Sequence, residues 1–177
     1  YNTWALHFNL ETGEENGIAA DYSSIGTIYE EEGEYPKALD YDFKSLTISQ
    51  KINNKQSIAT NYSNIAIIYS DQGDYANALE YSFKALAIYQ QKEIRDTTNI
   101  ARTYGNIGSI YMNIGNNEKA IEYYSDALAM YRKIKDTDGI AINLGNLAIV
   151  CENEKDYPQA LEDNFNALAL YKQIGDK

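Results

Sequence analysis

Several residue types are nearly missing from this 177-residue sequence. It has one cysteine, one histidine, one tryptophan and two prolines. A lone cysteine excludes a disulfide framework and any cysteine-based zinc site. It leaves the compartment open, because a reduced cytosol and a periplasm both tolerate one buried thiol. The single histidine, His7, lies near the chain start, so no Ser-His-Asp or Cys-His pair can be assembled further along. Basic residues are scarce: 15 against 26 acidic ones, a formal charge of −11. A nucleic-acid binder needs a basic stripe, so polyanions are poor partners. A cationic partner is permitted, although solubility alone also accounts for the charge. No apolar run approaches the ~18 residues of a membrane helix, and no secretory leader is visible. The acidic residues lack the spacing of a calcium loop, and no glycine-rich phosphate loop occurs. No cofactor or metal is expected, and a cytoplasmic location is the expectation, with a periplasmic one open.

What the chain does have is one sentence repeated. Ile58-Ala59, Tyr62, Ile65-Ala66, Tyr69, Gly73-Asp74-Tyr75, Ala78-Leu79, Tyr81, Ala85-Leu86 and Ile88 recur from Ile18, Ile100 and Ile140. The copies start 40, 42 and 40 residues apart. A fixed period in this range marks a solenoid or array rather than one globular core. Residues 1–177 therefore read as a single array with repeats at 18–57, 58–99, 100–139 and 140–177. Residues 1–17 read as the tail of a second helix whose partner is cut away, and both ends are expected to fall inside a longer array.

Each copy reads as two amphipathic helices. In the first copy Ile18, Tyr22, Ile25, Ile28 and Tyr29 step by three and four along one face from Ile18 to Glu32. Gly33 ends that helix, as a residue free to take positive φ should. The second helix starts near Tyr35 and runs to about Ile52. Pro36 falls in its first turn, where a missing N–H is harmless, and Pro158 holds the same place in repeat four. Asp74, Asn116 and Asp156 are suited to cap the second helices. The two surplus residues of repeat two are expected in the Ile94–Asn99 loop. Repeat four departs most, with Lys155 for glycine and with Leu144 and Cys151 for tyrosines; Cys151 reads as a small buried hydrophobe.

Neither helix can bury its stripe alone, so pairs must stack. Gly26, Ala66, Gly108 and Ala148, with Ala38, Ala78, Ala120 and Ala160, mark close backbone approaches. Tyr29, Tyr69 and Tyr111, with Leu46, Leu86, Leu128 and Leu168, are expected to fill the core between them. Asn61-Tyr62-Ser63 matches a glycosylation sequon, but it lies mid-helix.

These columns resemble the tetratricopeptide repeat: aromatic-x-x-Ile-Gly/Ala-x-x-Tyr, then Gly-x-Tyr-x-x-Ala, then Ala-Leu, across nearly all of residues 18–177. The usual repeat is about 34 residues and often ends in proline. The longer copies here, without that proline, resemble the repeats of kinesin light chains, Pins-type adaptors and bacterial signalling proteins, including peptide-pheromone receptors. The resemblance implies an all-α, right-handed solenoid of antiparallel helix pairs, with four units after a leading half-repeat. It also implies a concave groove lined by the first helices.

On that resemblance the groove columns are Ala20, Ser23, Ser24, Thr27, Glu30 and Glu31 in repeat one, and Thr60, Ser63, Asn64, Ile67, Ser70 and Asp71 in repeat two. Repeat three supplies Arg102, Gly105, Asn106, Ser109, Met112 and Asn113; repeat four supplies Ile142, Gly145, Asn146, Ile149, Glu152 and Asn153. Their spacing places them on the face away from the tyrosines. Asn64, Asn106 and Asn146 form a row that Ser24 continues. A carboxamide donates and accepts, so it can grip a peptide backbone without reading its side chains; the competing reading is that these amides bridge neighbouring helices. Ile67, Met112 and Ile149 would bury the ligand. Glu30, Glu31, Asp71 and Glu152 make the face acidic, opposed only by Arg102, which disfavours the family's carboxylate-clamp function and favours a neutral or basic peptide. The expected role is a non-enzymatic docking or sensory scaffold of a larger, bacterial-looking signalling protein. The alternatives are a self-association scaffold and the regulatory region of a cyclase or kinase whose catalytic part lies outside these residues.

Overall fold

The computed structural model describes residues 2–175, with side chains from Ala5 onward. The described residues form helices joined by short turns: α1 (Asn2–Thr12), α2 (Glu15–Glu31), α3 (Tyr35–Lys51), α4 (Lys55–Asp71), α5 (Tyr75–Tyr89), α6 (Thr97–Ile114), α7 (Asn117–Ile134), α8 (Thr137–Asn153) and α9 (Tyr157–Gly175). Tyr1, Asp176 and Lys177, at the ends of the expected first and last segments, lie outside the described residues. The helices fall into two compact units, one ending at Ile94 and one starting at Arg95.

Capping chemistry sets the helix starts. Asn54, Asp74, Asp96, Asn116 and Asp136 each accept the N–H of the residue three further on. Asp156 does the same for Gln159, at 3.3 Å. Each such oxygen satisfies an amide that the helix leaves without a partner. One closure recurs at the turn inside every pair. Glu34, Asp74, Asn116 and Asp156 donate their N–H to the carbonyls of Tyr29, Tyr69, Tyr111 and Cys151 at 2.8–2.9 Å. The residue before each donor is left-handed: Gly33, Gly73 and Gly115 with φ of 74–84°, and Lys155 with φ 64°. The longer connection after α5 begins at Gln90, so the irregular stretch lies mostly before the expected Ile94–Asn99 segment. Thr97–Asn99 already form the first turn of α6.

Both units are layered in the same way. Within each unit every helix packs on the next; in addition, the backbones of α2 and α4 approach, as do those of α6 and α8, whereas the backbones of α3 and α5 stay apart, with only the Phe43 and Tyr81 rings meeting edge-on at 6.2 Å, and those of α7 and α9 stay apart too. First helices therefore approach while second helices splay, and each unit curves with its first helices on the inside. This is the helix-pair solenoid packing expected from the repeat, and the all-α class holds for every described element.

Matched sizes explain the contacts inside a pair. Gly108 faces Tyr124, a fully buried residue, and a Cβ on Gly108 would lie 2.8 Å from that ring. Gly26 faces Asp42, where an added Cβ would meet the carboxyl at 3.1 Å. In repeat two the corresponding pair is Ala66 and Ser82, both buried. Leu46, Leu86 and Leu128 are 7–8% exposed, as core residues should be.

Two expectations need correcting. Tyr29, Tyr69 and Tyr111 are half-buried rather than core residues. They stack on Tyr41, Tyr81 and Tyr123, with centroids 5.5–5.7 Å apart and planes within 20°. Tyr22, Tyr62 and Tyr104 lean on the same partners. Lys37, Lys44, Lys84 and Lys119 lie over these rings, and a lysine keeps its charged end in water while its stem covers apolar surface. Leu168 is 48% exposed instead of buried, because the face that it shares on α9 is not packed on another described helix.

Candidate partner-binding faces

In the first unit, the free faces of α2 and α4 lie on the inner side. Ala20, Ser24, Thr27, Glu31 and Asp71 are exposed; Ser23, Glu30, Thr60, Asn64, Ile67 and Ser70 are half-buried. Ser63 does not present itself there. It is 6% exposed, its hydroxyl donates to the Ala59 carbonyl at 3.1 Å, and it lies 3.5 Å from the Tyr89 hydroxyl. Packing of α5 beneath α4 draws it inward, so it supports the face from behind. Ser24 donates to the Ala20 carbonyl at 2.9 Å and stays on the surface.

Asn64 has two roles at once. Its amide nitrogen lies 3.2 Å from the Ser23 hydroxyl and 3.5 Å from Asp42 Oδ1, bridging α4 to α2 and α3. Its donors are therefore committed to neighbouring helices, while its side chain remains half-exposed. Beneath it, Asp42 is fully buried and its Oδ2 has no hydrogen-bond partner. Burial pushes the Asp42 carboxyl up to about 7; the Asn64 bond opposes this and the nearby Glu30 charge adds to it. The Glu30 carboxyl is also raised, by burial first and then by Asp71 and Glu31, and Asp71 is raised by burial. A carboxylate surrounded by apolar groups and other carboxylates holds its proton more tightly.

Beside these groups, a hollow of about 240 Å³ opens between α2 and α4, lined by Ala20, Ser23, Ser45, Thr60 and Asn61 among others. Ser45 forms part of its lining and donates to the Ala19 carbonyl at 2.7 Å. Asn61 is buried, with its nitrogen on the Ser57 carbonyl and near Ser49, but its Oδ1 is unpartnered. Asp42 was not picked out from the sequence, and Asn61 was only as part of a mid-helix glycosylation sequon. Asp42 occupies the register of Ser82, Tyr124 and Asn164, a mixed and mostly polar column that offered no signal of burial. Asn61 shares a register with Thr103 and Asn143, a buried polar column one turn away from the expected asparagine row.

In the second unit, the free faces of α6 and α8 carry a different mixture. Asn106 and Asn146 are half-buried and make no hydrogen bond with other described residues, so their amides are available. Arg102 and Glu152 are exposed, and Met112 is half-buried with its sulfur 4.0 Å from the Tyr124 hydroxyl. Ile142 and Ile149 on α8 are 52% and 47% exposed. Between them Gly145 leaves bare backbone: a Cβ there would meet no atom within 4 Å. Cys151 is buried, with its thiol pushed up by burial first and then by Asp163 and Asp156, as an unreactive core thiol should be.

Among the described residues, no three His, Cys, Asp or Glu side chains are grouped to hold a metal ion. No described helix is long and apolar enough to cross a membrane.

The repeated helix pair, its glycine-closed turn and its alanine contacts define the class of protein. The chain belongs to the tetratricopeptide repeat family, whose pattern matches residues 18–91 and 99–173. No curated protein matches the sequence. Among solved structures, BtubC (BKLC) from P. vanneervenii is similar with a TM-score of 0.81 and 21% identity, over 92% of this chain and 66% of that one. A signal transduction ATPase with numerous domains from Pyrococcus horikoshii, PH0952, described as having a tetratricopeptide repeat sensor, gives 0.81 and 26%, over 92% of this chain and 25% of that one. RapI in its apo form gives 0.80 and 22%, over 89% and 57%. The chain thus spans less than two thirds of the length of each of these three proteins. Tetratricopeptide repeats generally serve as protein-interaction scaffolds.

Proposed function

We propose that the chain is a non-catalytic scaffold that captures a protein or peptide on the free faces of its first helices. It would serve as a docking or sensory region of a larger signalling protein in the cytoplasm. The observation that carries this reading is the α8 face. Ile142 and Ile149 stand about half exposed on one stripe, with bare backbone at Gly145 and the unpartnered Asn146 amide between them. Apolar groups interleaved with free donors and acceptors suit a peptide, which must bury side chains and satisfy its backbone together. The sensor description of the Pyrococcus protein, at 26% identity, supports a sensory role. The charge of −11 favours a neutral or basic partner over a nucleic acid.

A selection from a random dodecapeptide display library tests this. Peptides recovered on the chain should lose at least about tenfold in affinity, some 1.4 kcal/mol, when Asn106 and Asn146 are both changed to alanine. Asn64→Ala should weaken capture less, because its amide already bridges helices. Helicity by circular dichroism should not change. Affinity that survives the double substitution counts against the proposal.

Self-association is a second reading, favoured by the outer stripe of α9. Tyr157, Leu161, Phe165, Leu168 and Tyr171 are 48–66% exposed along it. Sedimentation velocity at rising concentration distinguishes the two: a monomer at every concentration removes self-association.

A further inference from the structure

We propose that a hollow on the outer side of the second unit, between α7 and α9, seats a tyrosine side chain of a partner protein. The hollow measures about 440 Å³, within the ~300–1,000 Å³ usual for ligand pockets. Ile140 and Leu144 of α8 line it, with Ala169 and Leu170 of α9. Arg132 of α7 and Asn166 and Gln173 of α9 complete the lining. It lies among second helices, away from the inner face, and so goes beyond the scaffold reading.

The first unit shows what this place holds when it is filled. Tyr62, Gln50 and Lys84 stand 82 residues before Leu144, Arg132 and Asn166. The Tyr62 ring lies 5.8 Å from that of Tyr81, and the Lys84 ammonium lies 5.8 Å from the Tyr62 centroid. Gln50 donates to the Tyr62 hydroxyl at 3.5 Å. The chain's own phenol thus spans the space from α3 to α5. Tyr22 and Tyr104 lean on Tyr41 and Tyr123 in the same register. In the α8–α9 pair both rings are replaced. Leu144 stands for Tyr62 and is buried; Asp163 stands for Tyr81 and accepts from Gln159 at 3.3 Å. The corresponding space between α7 and α9 is a hollow lined by aliphatic groups.

The polar part of the lining selects the ring. The side chains of Arg132, Asn166 and Gln173 make no hydrogen bond or ion pair with a described residue. All three can donate, and Arg132 offers five N–H groups from a planar guanidinium. Arg132 holds the register from which Gln50 reaches the Tyr62 hydroxyl. A phenol oxygen arriving here meets a charged donor, a stronger bond than a neutral amide gives. A guanidinium also attracts the face of an aromatic ring. Tyrosine uses both attractions, phenylalanine only the second, and an alkyl chain neither.

The test is an NMR titration of the 15N-labelled chain with three probes: the Nα-acetyl amides of tyrosine, phenylalanine and norleucine. Expected are shifts at Leu144, Asn166 and Leu170 with tyrosine, at least about threefold weaker affinity for phenylalanine, and no shifts with norleucine. Leu144→Tyr, which restores the ring that the other copies carry, should abolish tyrosine binding with unchanged circular dichroism. Arg132→Met, at an exposed position, should make the tyrosine and phenylalanine affinities equal. Absent shifts with tyrosine, or equal shifts with norleucine or phenylalanine, overturn the seat. So do tyrosine shifts that Leu144→Tyr leaves unaltered, or a tyrosine preference that survives Arg132→Met. The scaffold reading stands or falls separately, because its test rests on Asn106 and Asn146.

Discussion

Gly108 and Gly145 are both helical glycines, yet their surroundings oppose one another. A methyl on Gly108 collides with the buried Tyr124 ring at 2.8 Å, whereas one on Gly145 meets open space. Gly108→Ala should therefore destabilise by about 1–3 kcal/mol through overpacking. Gly145→Ala should stabilise by up to ~1 kcal/mol through helix propensity. Urea unfolding of the two variants checks both signs. If the bare backbone at 145 serves a ligand, the same Gly145→Ala change should also weaken peptide capture. Asp42 leads to a pH prediction. Burial pushes its folded carboxyl up to about 7, above the ordinary 3.8, so between those values the unfolded chain ionises while the folded chain stays protonated. Its contribution to stability is complete below about pH 4, declines as pH rises, and levels off above about 7. Urea midpoints from pH 4 to 8 should show that decline, and Asp42→Asn should flatten it. Asp42 also marks a limit of sequence reading. Its column, Asp42, Ser82, Tyr124 and Asn164, carries no apolar signature, and whether a carboxylate there finds partners depends on the distance between α2 and α4, which no spacing rule supplies.

At the scale of the helix, identical register positions give opposite outcomes. Leu128 is covered by its neighbours and Leu168, forty residues on, is not. Leu128→Ala should cost about 2–5 kcal/mol, and Leu168→Ala well under half of that; thermal unfolding of the pair measures the difference. Lys155 holds the left-handed turn position that the other copies give to glycine, with φ 64°. Lys155→Gly should raise stability by about 1 kcal/mol. The helices, caps and turns were legible because they depend on local rules: Asp74 and Asn116 cap, and Gly73 and Gly115 turn. The tyrosine stack was not. The sequence shows Tyr69 and Tyr81 on separate helices, and only the crossing of α4 and α5 reveals that they lie face to face at the edge of the interior. Ser63 was misplaced for the same reason, because its depth is set by Tyr89 of α5.

For the molecule, the central physical claim is that first helices in each unit pack together and leave one face unclaimed. That face is more acidic in the first unit, at Glu30, Glu31 and Asp71, and more apolar and amide-rich in the second, at Ile142, Asn146 and Ile149. The most direct measurement is methyl NMR on the isoleucine-labelled chain with a saturating library-selected peptide. The account predicts that the Ile142 and Ile149 methyls on α8 shift while that of Ile121, exposed on the second helix α7, does not. Shifts at Ile121 with Ile142 and Ile149 unmoved would contradict it.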